Sequence, residues 1–302
     1  MKLTTLFDEG TFVVTGEVGP IKGAVSRDKR IDPTCAREAG FLQDCTHAVN
    51  VTDNQSAVMR LGSLAASVGL KQRGIEPVYQ LTCRDRNRIA LQSDLLTAYS
   101  LGIDNVLLIT GDHIQLGDHK EAKPVFDLDS VQLIRMAMGL REGHDITGNN
   151  IENPPDMAYG AVVNPNYDPL DLQLIKMRKK VDAGAEFFQT QAVYDPAVFE
   201  RFIRKAEAFG RPIQVGVVVL KSPQMGKFMN ENVSGIQVPQ SWIDEIGGVD
   251  KSDRKKKAAE MMGRFLRDIK PMAQGVHIMP LGWTDVVPEI LEQAGIDIAS
   301  DS

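Results

Sequence analysis

The chain has 302 residues, 43% hydrophobic and 25% charged, which supplies a large core and sets disorder aside. A net charge of −6 provides no basic field for a polyanion, so nucleic acid is not an expected partner. Cys35, Cys45 and Cys83 form no CxxC pair and lack the spacing of iron–sulfur or zinc sites, so no metal is expected. No stretch reaches ~18 uninterrupted apolar residues, and the start of the chain turns acidic at Asp8-Glu9, so neither membrane insertion nor a signal peptide is expected. The reading is a cytoplasmic protein with reduced thiols.

Along the chain, short runs rich in Val, Ile and Leu alternate with longer segments of helical spacing, the pattern of parallel strands joined by crossover helices. The runs fall at 12–17, 47–53, 77–83, 105–110, 159–164, 186–191, 213–220 and 275–281. Eight such units predict the α/β class and a single-domain (β/α)8 TIM barrel over residues 1–302. Asn87 precedes an amphipathic run from Ile89 to Ser100 and Gly102 follows it, the start and stop signals of a helix. Gly74, Gly184 and Gly210 supply similar stops before the next strand. Residues 113–128 are assigned to a loop over the active face and 144–158 to the opposite rim. The basic run Arg254-Lys255-Lys256-Lys257 reads as a solvated helix face. The Met136-Ala137-Met138 segment and the pair Met261-Met262 read as core packing.

In a barrel of this kind the C-terminal ends of the strands converge on one site. Here they are polar. The first strand ends in Gly16-Glu17-Val18-Gly19-Pro20, the second in Asn50-Val51-Thr52-Asp53-Asn54-Gln55, and the third in Gln80-Leu81-Thr82-Cys83-Arg84-Asp85. The fourth gives Thr110-Gly111-Asp112-His113, the fifth Asn164-Pro165-Asn166, the sixth Gln189-Thr190-Gln191 and the eighth Leu281-Gly282-Trp283. Any one of these could be a cap or a turn. Together they describe an amide-rich pocket with carboxylates on two walls. His113 and His119, in a glycine-containing loop with no third ligand nearby, read as ordinary loop histidines, and His277 as a packed or hydrogen-bonded core residue.

These residues resemble the methylenetetrahydrofolate reductases along nearly the whole chain. The most specific pieces are Glu17, Val51-Thr52, Leu81-Thr82-Cys83, Gly111-Asp112, the run Lys180-Val181-Asp182-Ala183-Gly184-Ala185, and Thr190-Gln191. The resemblance implies a non-covalent flavin, FAD or alternatively FMN, in a barrel that reduces 5,10-methylenetetrahydrofolate to 5-methyltetrahydrofolate for one-carbon metabolism and methionine biosynthesis. It makes Glu17 the general acid that protonates folate N10 and opens the ring to an N5 iminium; burial suits such a carboxyl because desolvation favours its protonated form. It places Asp112 beside the flavin pyrimidine edge and the pterin. Thr52 and Gln191 would line the flavin and folate faces, Gln224, Phe228 and Leu281 would touch substrate, and Lys180, with Lys179, would meet the flavin phosphates. The familiar bacterial members carry Arg, His and Tyr where this chain has Thr110, Gln80 and Asn164, all in or near the flavin site.

Two electron donors remain open. The family's familiar members use NAD(P)H, whose transient docking leaves no glycine-rich fingerprint, and the chain also looks like shorter reductase subunits that work with an iron–sulfur partner. An oligomer is expected. A flavin-free pterin-binding barrel, such as a methyltransferase or synthase, is the alternative that the same polar pocket allows.

Overall fold

The computed structural model describes residues 1–27 and 33–298. In chain order it runs α1 (Leu3–Asp8), β1 (Val13–Val18), α2 (Pro33–Leu42), β2 (Ala48–Val51), α3 (Ser63–Lys71), β3 (Pro77–Thr82), α4 (Arg88–Ser100), β4 (Asn105–Ile109) and α5 (Ser130–Arg141). It continues through β5 (Ala158–Val163), α6 (Leu170–Ala183), β6 (Phe187–Ala192), α7 (Pro196–Ala206), β7 (Ile213–Val218), α8 (Pro223–Asn232), α9 (Gln240–Gly247), α10 (Arg254–Ile269), β8 (Gly275–Met279) and α11 (Val287–Ala294). The strands pair in order, all parallel, and β8 closes on β1, so the sheet is a (β/α)8 barrel. Each of the eight predicted runs contains most or all of one strand.

The local signals act as the sequence reading expects. Asn87 caps α4 by accepting from the backbone N–H of Ile89 and Ala90, and Gly74, Gly102, Gly184 and Gly210 take the left-handed backbone that ends a helix. The 113–128 segment follows β4 and so lies on the side of the strand C-termini, with a single 3-10 turn at Ile114–Leu116. The 144–158 segment precedes β5 and lies on the opposite rim, pinned by a bridge between His144 and Asn150. Met261 and Met262 are buried where α10 packs on the barrel. In the basic run, Lys255 pairs with Asp285 and Lys257 with Glu245.

Alternate residues of each strand point inward, and the floor of the barrel is apolar. Val13, Ala48, Val78, Leu107, Ala158 and Phe187 form one buried cluster. The short helix α1 closes it from below by inserting Leu3 and setting Phe7 against the Phe187 ring, 5.9 Å between centroids. Gly160 makes room for that ring, since a Cβ there would lie 2.3 Å from the tip of Phe187. The larger apolar cluster lies between the sheet and its surrounding helices. These two layers leave the strand C-termini as the place where the interior opens.

Candidate active site

One step above the floor, the inward positions turn polar. Thr15, Asn50, Gln189, Gln214 and His277 are all buried and hydrogen-bonded to one another across the barrel axis. Buried polar groups are tolerated when they satisfy each other, and here the amides and the hydroxyl do so.

Above this layer sits Glu17, only 8% exposed. Its Oε2 accepts from Gln80 Nε2 at 3.3 Å and lies 3.5 Å from His277 Nε2. Its Oε1 accepts from Gln55 Nε2 at 3.4 Å, and Gln55 belongs to the exposed loop after β2. No arginine or lysine pairs with this carboxyl in those contacts. The structure therefore brings Glu17 and Gln80 together and offers one oxygen toward the mouth.

Thr52 is 2% exposed, and its hydroxyl has no hydrogen-bond partner among the described residues. A Cβ on Gly19 would stand 3.5 Å from that oxygen, which places it beside the β1 end. Gly111 has φ +89°, and a Cβ there would come within 3.0 Å of Thr82, so glycine both permits the turn and keeps the β4 loop close to β3. Thr110 and Asp112 flank it and are exposed. The Asp112 carboxylate has no hydrogen-bond partner among the described residues; its backbone oxygen accepts from Arg84. The following 3-10 turn is capped by His113, whose Nδ1 accepts from Gln115 N–H, and His119 pairs with Asp118.

The other sequence-predicted residues are spread around the rim. Gln191 is the last residue but one of β6, its side-chain oxygen accepting from Ala192 N–H. Asn164 donates to the Gly235 carbonyl in the β7–β8 connection. Gln224 and Phe228 lie one turn apart on α8, Phe228 being 59% exposed, and Leu281, 42% exposed, follows β8. Met59 and Leu116 are likewise exposed, on the loops after β2 and β4. Lys180 points elsewhere: its ammonium donates to the Val162 carbonyl at 2.7 Å, and desolvation, helped by the nearby charge of Lys176, pulls its pKa down to about 8. Its neighbour Lys179 is exposed.

Sequence reasoning missed the ions that brace the mouth. Asp53, fully buried at its side chain, accepts from the Thr82 backbone and hydroxyl and pairs with Arg86 at 2.7 Å. Arg84, 1% exposed, grips Asp85 through two nitrogens and reaches the backbone oxygens of Asn54 and Asp112. Asp118 ties the loop after β4 to Lys22 and to the Met59 N–H, contacts that hold its carboxyl well below the usual range. Polar residues at alternate inward positions, Thr15 and Glu17, Asn50 and Thr52, Gln80 and Thr82, were the available signal, since a period of two assigns them to one face. Arg84 and Arg86 carried none, because loop arginines are usually solvated.

The fold and this mouth define a (β/α)8 barrel with a buried carboxyl among amides and a rim of exposed apolar side chains. The family model described as methylenetetrahydrofolate reductase matches residues 2–295, and the chain belongs to that family. It is 22% identical over 284 residues, 91% of its length, to a probable methylenetetrahydrofolate reductase (NADPH) of Caenorhabditis elegans, of which the match covers 41%. It is 26% identical over 192 residues, 62% of its length, to a 5,10-methylenetetrahydrofolate reductase of Pectobacterium carotovorum, of which the match covers 58%. The chain thus spans less than two thirds of these relatives. Among solved structures, it shares its fold with a Clostridium thermocellum protein that binds two copies of 5-methyl-5,6,7,8-tetrahydrofolic acid, at TM-score 0.63 and 11% identity, covering 98% of this chain and all of the other.

Proposed function

We propose that this chain is a flavin-dependent 5,10-methylenetetrahydrofolate reductase. The observation that carries the reading is Glu17: in a barrel of this family, a carboxyl at the centre of the mouth is held by N–H donors and turns one oxygen outward. Glu17 delivers a proton to folate N10, the bond from N10 to the methylene carbon breaks, and the carbon is left as an N5 iminium. A flavin, FAD or FMN, would supply the hydride that completes the N5-methyl group. The residues fit such a group, because the buried Thr52 hydroxyl lacks a partner among the described residues.

Gln80, Thr110, Gly111 and Asn164 would line the ring system, and Asp112 would hold both flavin and pterin edges. Its carboxylate, free of protein partners among the described residues, can accept from pterin N–H groups and favours the cationic iminium. Gln191, Gln224, Phe228 and Leu281 would contact substrate. Lys180, with Lys179, would meet the phosphates, which requires its ammonium to leave the Val162 carbonyl.

Electrons arrive from NAD(P)H or from an iron–sulfur subunit. The three cysteines lack the spacing of a cluster, so the second route would place the cluster on a partner. The test is to purify the chain, release and identify its flavin, and compare viologen dyes with NADH and NADPH as donors. Bound flavin and dye-driven folate turnover are expected, with little turnover on NAD(P)H alone. A colourless protein that gains no flavin absorbance when given FAD or FMN would return the chain to the flavin-free pterin-binding class. Brisk NADH-driven turnover would remove the partner.

A further inference from the structure

The buried polar layer beneath Glu17 fixes which nitrogen of His277 carries hydrogen. Gln214 Nε2 lies 3.1 Å from the Val13 carbonyl oxygen and 3.2 Å from that of Val276. Carbonyls only accept, so the amide of Gln214 has one orientation, with Oε1 turned to Gln189 Nε2 at 3.0 Å. That contact orients Gln189 in turn, and its Oε1 accepts from Asn50 Nδ2 at 2.8 Å. Both glutamines now turn amide nitrogens, and not oxygens, to the Thr15 hydroxyl, at 3.1 and 3.3 Å.

An amide nitrogen cannot accept, so neither glutamine can take the Thr15 hydroxyl hydrogen. Its remaining partner is His277 Nδ1 at 3.0 Å. Were Nδ1 instead to donate, a fully buried hydroxyl hydrogen would lose that partner, a costly state. Nδ1 therefore accepts, and the ring hydrogen sits on Nε2, the atom 3.5 Å from Glu17 Oε2.

We propose that His277 is a positioning residue for Glu17: locked by Thr15 as the Nε2–H tautomer, it turns that N–H toward Oε2 across 3.5 Å and leaves Oε1, on the mouth side, to carry the acidic proton. Gln80 reinforces the choice by donating to the same Oε2, while Oε1 faces only the exposed Gln55 amide in these contacts. The ionisable group facing His277 here is Glu17, from β1; β6 and β7 present the neutral Gln189 and Gln214. The proposal rests on Glu17 being the folate acid.

Nitrogen-15 NMR of the five histidines in the intact flavoprotein reads the tautomer directly, with His277→Asn identifying the resonance. The expected result is hydrogen on Nε2 and none on Nδ1. Kinetically, His277→Asn keeps an acceptor for Thr15 but loses the donor to Glu17, and should slow the folate half-reaction about ten- to a hundredfold while flavin reduction is unchanged. His277→Gln, which can place an N–H near the lost Nε2, should recover much of the rate. An Nδ1–H tautomer overturns the proposal, as does wild-type folate turnover by His277→Asn beside an inactive Glu17→Gln. Full activity of Glu17→Gln with His277 on Nε2–H would instead locate the failure in the assignment of the acid, and would remove the positioning role with it.

Discussion

The floor and the mouth of this barrel share strands β1, β2 and β3, two to four residues apart, and they are stabilised by different forces. At the floor, Val13, Ala48, Val78, Leu107 and Phe187 exclude water and bind one another through area and shape. At the mouth, Glu17, Thr52, Gln80 and Thr82 stand two or four residues further along from Val13, Ala48 and Val78, and cohesion comes from directed hydrogen bonds and buried ions. A single strand such as β1 passes from Val13 through Thr15 to Glu17, from packing to network to reagent. Burial alone therefore does not distinguish a structural position from a chemical one in this molecule. What distinguishes them is what the polar atoms face: Glu17 turns one oxygen to the exposed Gln55, whereas the layer beneath it is closed on itself.

The largest effect is expected at the floor. Phe187→Ala removes a fully buried ring and should cost about 3–5 kcal/mol, read as a lowered urea midpoint, while folded molecules keep the wild-type half-reactions. Loss of chemistry without loss of stability would show that the two layers are not separable. The mouth's own bracing is tested by Arg86→Met, which strands the buried Asp53 carboxylate and should cost about 3–5 kcal/mol. Adding Asp53→Asn should restore part of that loss, since the uncompensated charge is then gone.

Asp112→Asn gives a smaller and more specific effect. The variant keeps size but not charge, so folate affinity should fall by about 1.5–3 kcal/mol, the worth of a hydrogen bond to a charged group. The flavin midpoint potential should rise, because a negative charge no longer opposes the anionic reduced form. His113, not Asp112, caps the adjacent turn, so stability should be nearly unchanged. Wild-type folate affinity and potential would leave Asp112 without a role in the site.

The smallest effect concerns Lys180. Its folded pKa of about 8 lies below the ordinary 10.5, so between these values the unfolded chain holds more protons than the folded one. Stability should rise with pH across that window, and Lys180→Met should flatten the rise in urea titrations of the flavin-free protein. A slope unchanged by the substitution would mean that the ammonium is not desolvated.

The fold was legible because periodicity and punctuation agreed: Val- and Leu-rich runs of strand length, Asn87 as a cap and glycines as stops all pointed to one architecture. Glu17, Thr52 and Asp112 were legible as strand-end polar residues, and the family resemblance gave them roles. The Thr15 to His277 network was not legible, because its members come from five strands and meet only through barrel closure. Lys180 shows the opposite case: a sequence signature names it, and the structure turns its ammonium to the Val162 carbonyl of β5. Helix α1 was missed as the floor's lid, since six residues carry too little periodicity to announce a helix.

The mouth carboxyl is proposed to act on folate and not on the flavin, and rapid-mixing kinetics of Glu17→Gln, with the two half-reactions followed separately on flavin-loaded protein, separates these roles. Glutamine keeps the shape and cannot deliver a proton, so the folate half-reaction should fall by about 10²–10⁴-fold while flavin reduction proceeds at the wild-type rate. Equal loss in both halves with flavin still bound, or no loss in either, would contradict the claim.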